Sequence, residues 1–176
     1  MKKVLMVLLV TVLALSPVFA AEKTGFTDLK SKIAIGCSVT GSSASVRLWP
    51  SDNLGVELSA GLSFTYVGNS GYATVPISAA MLFPILEKGN FALNVAPGIG
   101  FKYVSTSISS GFVFSAGADL MIEMALPIIS ENLSIGSGIG AWFAFSSTTI
   151  SSTSNTTTGV NIDLVTVSPV VLRYYF

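Results

Sequence analysis

The feature that most constrains this chain is an alternation. From about residue 32 onward, apolar and small polar residues take turns with a period of two, the repeat of an extended strand. Leu54, Val56, Leu58, Ala60, Leu62, Phe64 and Tyr66 fall on one face of such a strand; Gly55, Glu57, Ser59, Gly61, Ser63 and Thr65 fall on the other. A helix would scatter the two sets around its circumference. The alternation carries weight because 51% of the chain is hydrophobic and only 10% is charged, against about 25% charged in a soluble domain. Beyond the N-terminal leader no apolar run approaches the roughly 20 residues of a membrane helix. A chain this apolar, with its apolar residues on one side of strands, satisfies its backbone in a bilayer only as a closed barrel.

The first residues have a separate purpose. Met1-Lys2-Lys3, an apolar run from Val4 to Leu15, and Ser16-Pro17-Val18-Phe19-Ala20 form a secretory signal peptide cut after Ala20. Residues 21–31 then read as a short periplasmic tail and residues 32–176 as the barrel. Without the leader, seven bases face nine acids, a net charge of −2. That excludes the clustered basic face a nucleic-acid partner would need. The single cysteine, Cys37, excludes an intrachain disulfide and falls in the apolar phase of its strand.

Eight segments carry the alternation: 32–40, 44–49, 54–66, 74–83, 91–103, 112–126, 133–145 and 160–176. An even number is what bacterial barrels require. Three connections, 50–53, 84–90 and 127–132, begin with proline and end with asparagine, and read as periplasmic turns. The others, near 41–43, 68–71, 105–110 and 146–159, are uncharged Ser/Thr/Gly/Asn segments that read as extracellular loops. The last is a low-complexity run expected to be a mobile loop.

Eight alternating strands in an exported chain fit two folds: a soluble lipocalin-like barrel with its apolar phase inside, or a membrane barrel with that phase outside. Charge placement favours the second. Lys32, Arg47, Lys102 and Arg173 lie in the polar phase together with Glu57, Asp119, Glu123 and Asp163, a balanced set among Gly, Ser and Ala. Such a face is too bare for a soluble surface but suits a narrow lumen, where small residues leave space and opposite charges must pair. The expectation is a lumen plugged by these eight residues. Aromatics point the same way. Phe64, Tyr66, Phe101, Tyr103, Phe112, Phe114, Phe143 and Phe145 gather near the Ser/Thr loops, and Phe83, Phe91, Tyr174 and Phe176 near the opposite rim. Two aromatic girdles bordering an apolar band mark the interfaces of a membrane barrel.

The ending Val170-Val171-Leu172-Arg173-Tyr174-Tyr175-Phe176 resembles the terminal signature of outer-membrane barrels, and the stretch from Ser45 to Glu57 resembles the first periplasmic hairpin of small OmpA/OmpX-like barrels, a porin-like family. The resemblance implies an eight-stranded antiparallel transmembrane up-and-down β-barrel in the bacterial outer membrane. It implies lipid and lipopolysaccharide as surroundings, and recognition of Leu172, Tyr174 and Phe176 by the barrel-assembly machinery. No counterpart of the peptidoglycan-gripping domain of OmpA-type proteins is expected in these residues.

Little in the sequence points to catalysis. Without histidine, a Ser/His/Asp site or a histidine metal site cannot form. Asp119 and Glu123 share a strand face but stand roughly 14 Å apart along it, at ~3.4 Å per residue, too far to act together. Gly98-Ile99-Gly100 and Gly136-Ser137-Gly138 superficially resemble nucleotide loops, yet both lie within strands and no helix follows. The expectation is therefore a non-enzymatic barrel without cofactor or metal, acting in envelope structure or in contact with a surface partner the sequence does not name. A narrow passive pore is the alternative, and a lipid-modifying enzyme the third reading.

Overall fold

The computed structural model describes residues 26–30, 32–39, 42–67, 70–150 and 155–176. The expected leader, and the tail as far as residue 25, lie outside these. Among the described residues a single helical turn, α1 (Phe26–Leu29), precedes nine strands: β1 (Ala34–Ser38), β2 (Ser43–Ser51), β3 (Leu54–Gly61), β4 (Ser63–Val67), β5 (Ser70–Lys88), β6 (Phe91–Thr106), β7 (Ser109–Ala125), β8 (Leu133–Ile150) and β9 (Asn155–Tyr175). Strands β3 and β4 are one strand with a gap at Leu62. Both pair with β5, and the register runs unbroken from Ala60 opposite Ile77 to Ser63 opposite Thr74. Every pairing is antiparallel between chain neighbours, and β1 also pairs with β9, from Ala34 opposite Tyr175 to Ser38 opposite Val171. The result is an all-β, up-and-down ring of eight strands. No helix among the described residues is long and apolar enough to cross a membrane.

The alternation sorts the two faces of this wall. On β6, Ala92, Asn94 and Ala96 are buried inside the ring, while Ile99, Phe101 and Tyr103 are exposed on its outside. On β2, Arg47 is buried while Val46 and Leu48 face outward. The large apolar side chains thus cover the exterior of the ring, the reverse of a soluble barrel.

Three expectations need correction. The connection at 84–90 is mostly strand: β5 continues to Lys88 through a register shift between Pro84 and Leu86, and the turn is only Gly89-Asn90, with Gly89 at φ 55°. Proline lacks the N–H a regular ladder needs, and the bulge accommodates it. Phe83 therefore lies opposite Val95, four residues inside the rim marked by Phe91, and belongs to the wall rather than to the girdle. The run at 146–159 is also mostly strand, with residues 151–154 outside the described ones. Ser146 to Ile150 pairs residue by residue with Gly159 to Asn155, extending the β8–β9 hairpin in β-branched threonines. Finally, the tail read at 21–31 is packed at its C-terminal half, where Phe26, Leu29 and Lys30 are buried.

Strand β9 departs from simple alternation. Register shifts against β8 fall between Gly136 and Gly138 and between Gly140 and Trp142. Each inserts one residue in β9, so parity flips between the two, where Thr166 and Ser168 lie opposite the inward Gly140 and Gly138, and is restored beyond them, so that Asp163 and Arg173 share the inner face.

Candidate functional site

Four of the eight expected lumen charges meet inside the ring. Arg47 on β2 and Glu57 on β3 are direct cross-strand partners. Arg47 Nε donates to Glu57 Oε2 at 2.7 Å, and its Nη1 reaches across the ring to Glu123 Oε2 on β7. Arg173 on β9 donates from Nη2 to Glu57 Oε1 at 3.0 Å, and its Nη1 stands 3.7 Å from Glu123 Oε1, an ion contact rather than a hydrogen bond. Glu123 also accepts from Ser134 Oγ at 2.5 Å and from Tyr175 Oη at 2.9 Å. Arg47, Arg173 and Glu123 are each at most 1% exposed. Two cations and two anions from four strands thus form a neutral quartet spanning the interior. Glycines provide the space: a Cβ on Gly136 would come within 2.9 Å of Arg173 Nη1, and one on Gly36 within 3.0 Å of its Cγ. Asn94, fully buried on β6, has both side-chain amide atoms without a partner.

The other four charges lie elsewhere. Lys32 precedes β1 and bonds Asn132 Oδ1 in the β7–β8 turn. Asp119 is held by neutral donors, accepting from Trp142 Nε1 at 2.8 Å and from Ser168 Oγ at 2.6 Å. Asp163 is exposed and accepts from Asn161 Nδ2 at 3.0 Å, and Lys102 is exposed near the loop end of β6. Parity assigns a residue to the inner face, but its height and angle around the ring decide its neighbours.

Below the quartet, at the turn end, α1 caps the ring. The Phe26 ring packs edge-on against Tyr175 at 6.5 Å, within a cluster of Leu29, Ala34, Ala92 and Ala125. Lys30 donates to the Asp52 carbonyl at 2.5 Å, pairs with Glu87, and sits 4.8 Å above the Trp49 ring. Sequence reasoning missed this cap. Its only signal was that Phe26, Trp49 and Tyr175 fall outside the outward apolar phase. Above the quartet the interior opens into a cup of about 420 Å³, walled by Ser, Ala and Pro residues with Glu57, Asp119, Trp142 and Arg173. Among the described residues no group of three His, Cys, Asp or Glu side chains could hold a metal ion.

The expected girdle residues other than Phe83 are distributed as follows. Phe101 stacks on Phe112 with ring centroids 6.2 Å apart, and Phe112 lies 6.3 Å from Phe145, a band across β6, β7 and β8 joined by Phe114, opposite both Phe101 and Phe145 in register. Tyr103 faces Phe112, and Phe143 lies two residues below Phe145. Phe64 and Tyr66 project from β4 and are 65% and 80% exposed. At the turn end, Tyr174 and Phe176 pack edge-on at 5.0 Å, and Phe91 opens β6.

No protein-family model matches the chain, and no curated protein matches it in sequence. Among solved structures it is similar to the crystal structure of a major outer membrane protein from Thermus thermophilus. The TM-score is 0.51 at 15% sequence identity, over 82% of this chain and 98% of that one. At this identity the likeness is one of fold, and it supports a barrel-like all-β architecture for the ring.

Proposed function

We propose that the chain is an eight-stranded outer-membrane β-barrel, closed internally and non-enzymatic, that serves envelope structure or surface interaction. One observation carries this reading: the wall is apolar on its outside, with Ile77, Ile99, Ile139 and Phe143 each about half exposed or close to it, while its buried charges point inward. Water would not tolerate such a surface, and lipid requires it. The aromatic bands agree, and eleven residues of β9, Leu164 to Tyr174, match the ~9–11 that a tilted strand needs to cross the hydrocarbon layer. Tyr174 and Phe176 lie exposed at the end of the last strand, accessible to an assembly machinery that reads a terminal aromatic pattern. The quartet and α1, stacked one above the other, support a plugged interior. The cup above them favours the narrow pore as second reading, and conductance across a planar bilayer separates the two. The test of the barrel itself is electrophoretic: detergent-folded protein is expected to migrate differently before and after boiling. Identical mobility would sink the membrane-barrel reading.

A further inference from the structure

The ring is closed unevenly. Strand β1 has only five residues, so it covers β9 from Tyr175 to Val171, and among the described residues the last bond across this seam runs from Val39 N–H to the Val170 carbonyl. From Pro169 back to Asn155, β9 pairs with β8 on one side and, among the described residues, with no strand on the other. Across the gap, β4 pairs, among the described residues, only with β5. These two open edges, with the ends of β1 and β2 beneath them, bound a lateral slot in the wall. Its depth follows from register. Val160 lies opposite Phe145 of the aromatic band, so the open edge below it, from Leu164 to Pro169, falls within the apolar layer.

Unpaired backbone is not tolerated against lipid tails, and persists at that depth only where it lines a polar cavity. At the slot that lining is a set of serine hydroxyls in a cup otherwise walled mainly by small apolar residues. The cup reaches both margins of the slot, with Ser43 and Ser63 on one side and Ser168 and Pro169 on the other. Ser45, also in its lining, is 6% exposed with its hydroxyl unpartnered. Outside, the lips are among the most exposed apolar residues of the wall: Leu164, Val165 and Val167 on β9 at 76%, 78% and 77%, and Phe64 on β4 at 65%. A hollow that carries serine hydroxyls and a carboxylate among small apolar residues, and opens sideways between apolar lips, fits an amphiphile with its head inside and its chains in the bilayer. The quartet balances its own charge, which leaves Asp119 as the surplus anion in the cup, beside the Trp142 indole. A carboxylate held only by neutral donors keeps its full charge and spare lone pairs for an ammonium group. Serine hydroxyls and open backbone N–H groups suit phosphate oxygens.

We propose that the slot binds a bilayer phospholipid with a zwitterionic amine head, its phosphate among the serines at the slot and its ammonium beside Asp119. The proposal rests on the membrane-barrel reading. The test reconstitutes the full mature chain in vesicles of phosphatidylethanolamine and phosphatidylglycerol, extracts it gently, and counts retained lipid by native mass spectrometry. One phosphatidylethanolamine per chain is expected, enriched over the vesicle composition. Asp119→Asn should weaken its retention about tenfold, as loss of one charged partner implies, and leave phosphatidylglycerol unaffected. Ser168→Trp, which fills the mouth of the slot, should abolish retention of both. Each sample is first checked for its heat-dependent gel shift. A wild-type protein that shows no shift overturns the barrel reading and this site with it. A shifted protein that holds the two lipids in vesicle proportion, or an Asp119→Asn variant that retains phosphatidylethanolamine as well as wild type, overturns the lipid site alone.

Discussion

At the scale of residues, the centre of the molecule is Glu123, which draws Arg47, Arg173, Ser134 and Tyr175 onto one carboxylate. Removing one member of a buried ion group strands its partners in a low dielectric, at a cost of about 3–5 kcal/mol, whereas replacing the whole group by apolar side chains of similar size is often close to neutral. Glu123→Leu, which leaves two guanidinium groups sharing Glu57, is therefore expected to lower stability by about 3–5 kcal/mol. Exchanging Arg47, Glu57, Glu123 and Arg173 together for Met and Leu should cost clearly less than that single change. Urea unfolding of vesicle-inserted protein, followed by tryptophan fluorescence, measures both; a quadruple variant weaker than Glu123→Leu would contradict the account. The membership of the quartet was only half legible in the sequence. Period-two parity places Arg47, Glu57, Glu123 and Arg173 on the inner face, along with Lys102, Asp119 and Asp163. What separates the quartet from the rest is sheet register, which brings β2 within reach of β7 across the ring, and no local pattern encodes that.

At the scale of elements, the strands were legible and their ends were not. Alternation identifies a strand by its middle. Proline at 84 and the polar run from Ser146 look like interruptions, yet β5 absorbs the first with a bulge and β8 continues into the second. The helical turn α1 was invisible for another reason: two apolar residues three apart, Phe26 and Leu29, are too few to show a period, and their burial depends wholly on the ring that receives them. That dependence has a consequence. Phe26→Ala removes a ring packed at 0% exposure, a change worth about 3–5 kcal/mol in a rigid core. Here the cap can undock instead, so the loss is limited to the docking energy of the segment. The expected outcome is rapid protease cleavage between residues 26 and 31, with the heat-dependent gel shift retained. Unchanged protection of that segment would show that Lys30, through Glu87 and the Asp52 carbonyl, holds it unaided.

At the scale of the whole molecule, the plugged barrel proposed above would have two barriers in series. The cap closes the turn end with packed apolar side chains around Phe26 and Tyr175, and the quartet closes the layer above it with cross-linked charges. Above both, the cup is open, so the resistance to an ion is set by whichever of the two seals remains. An eight-stranded ring has an interior just wide enough for side chains to fill, as the cap and the quartet do at the turn end. Removing residues 21–31 should therefore leave the protein electrically silent in a planar bilayer, because the quartet still spans the interior. Arg47→Ala with Glu123→Ala should also be silent, because the cap remains and removing one charge of each sign leaves Arg173 opposite Glu57. Only the combination should conduct, through a path a few water molecules wide with small unitary steps. Conductance from the truncated chain alone would mean that the quartet does not seal. Silence in the combined variant, with the gel shift intact, would mean that the wall collapses inward when its interior is emptied.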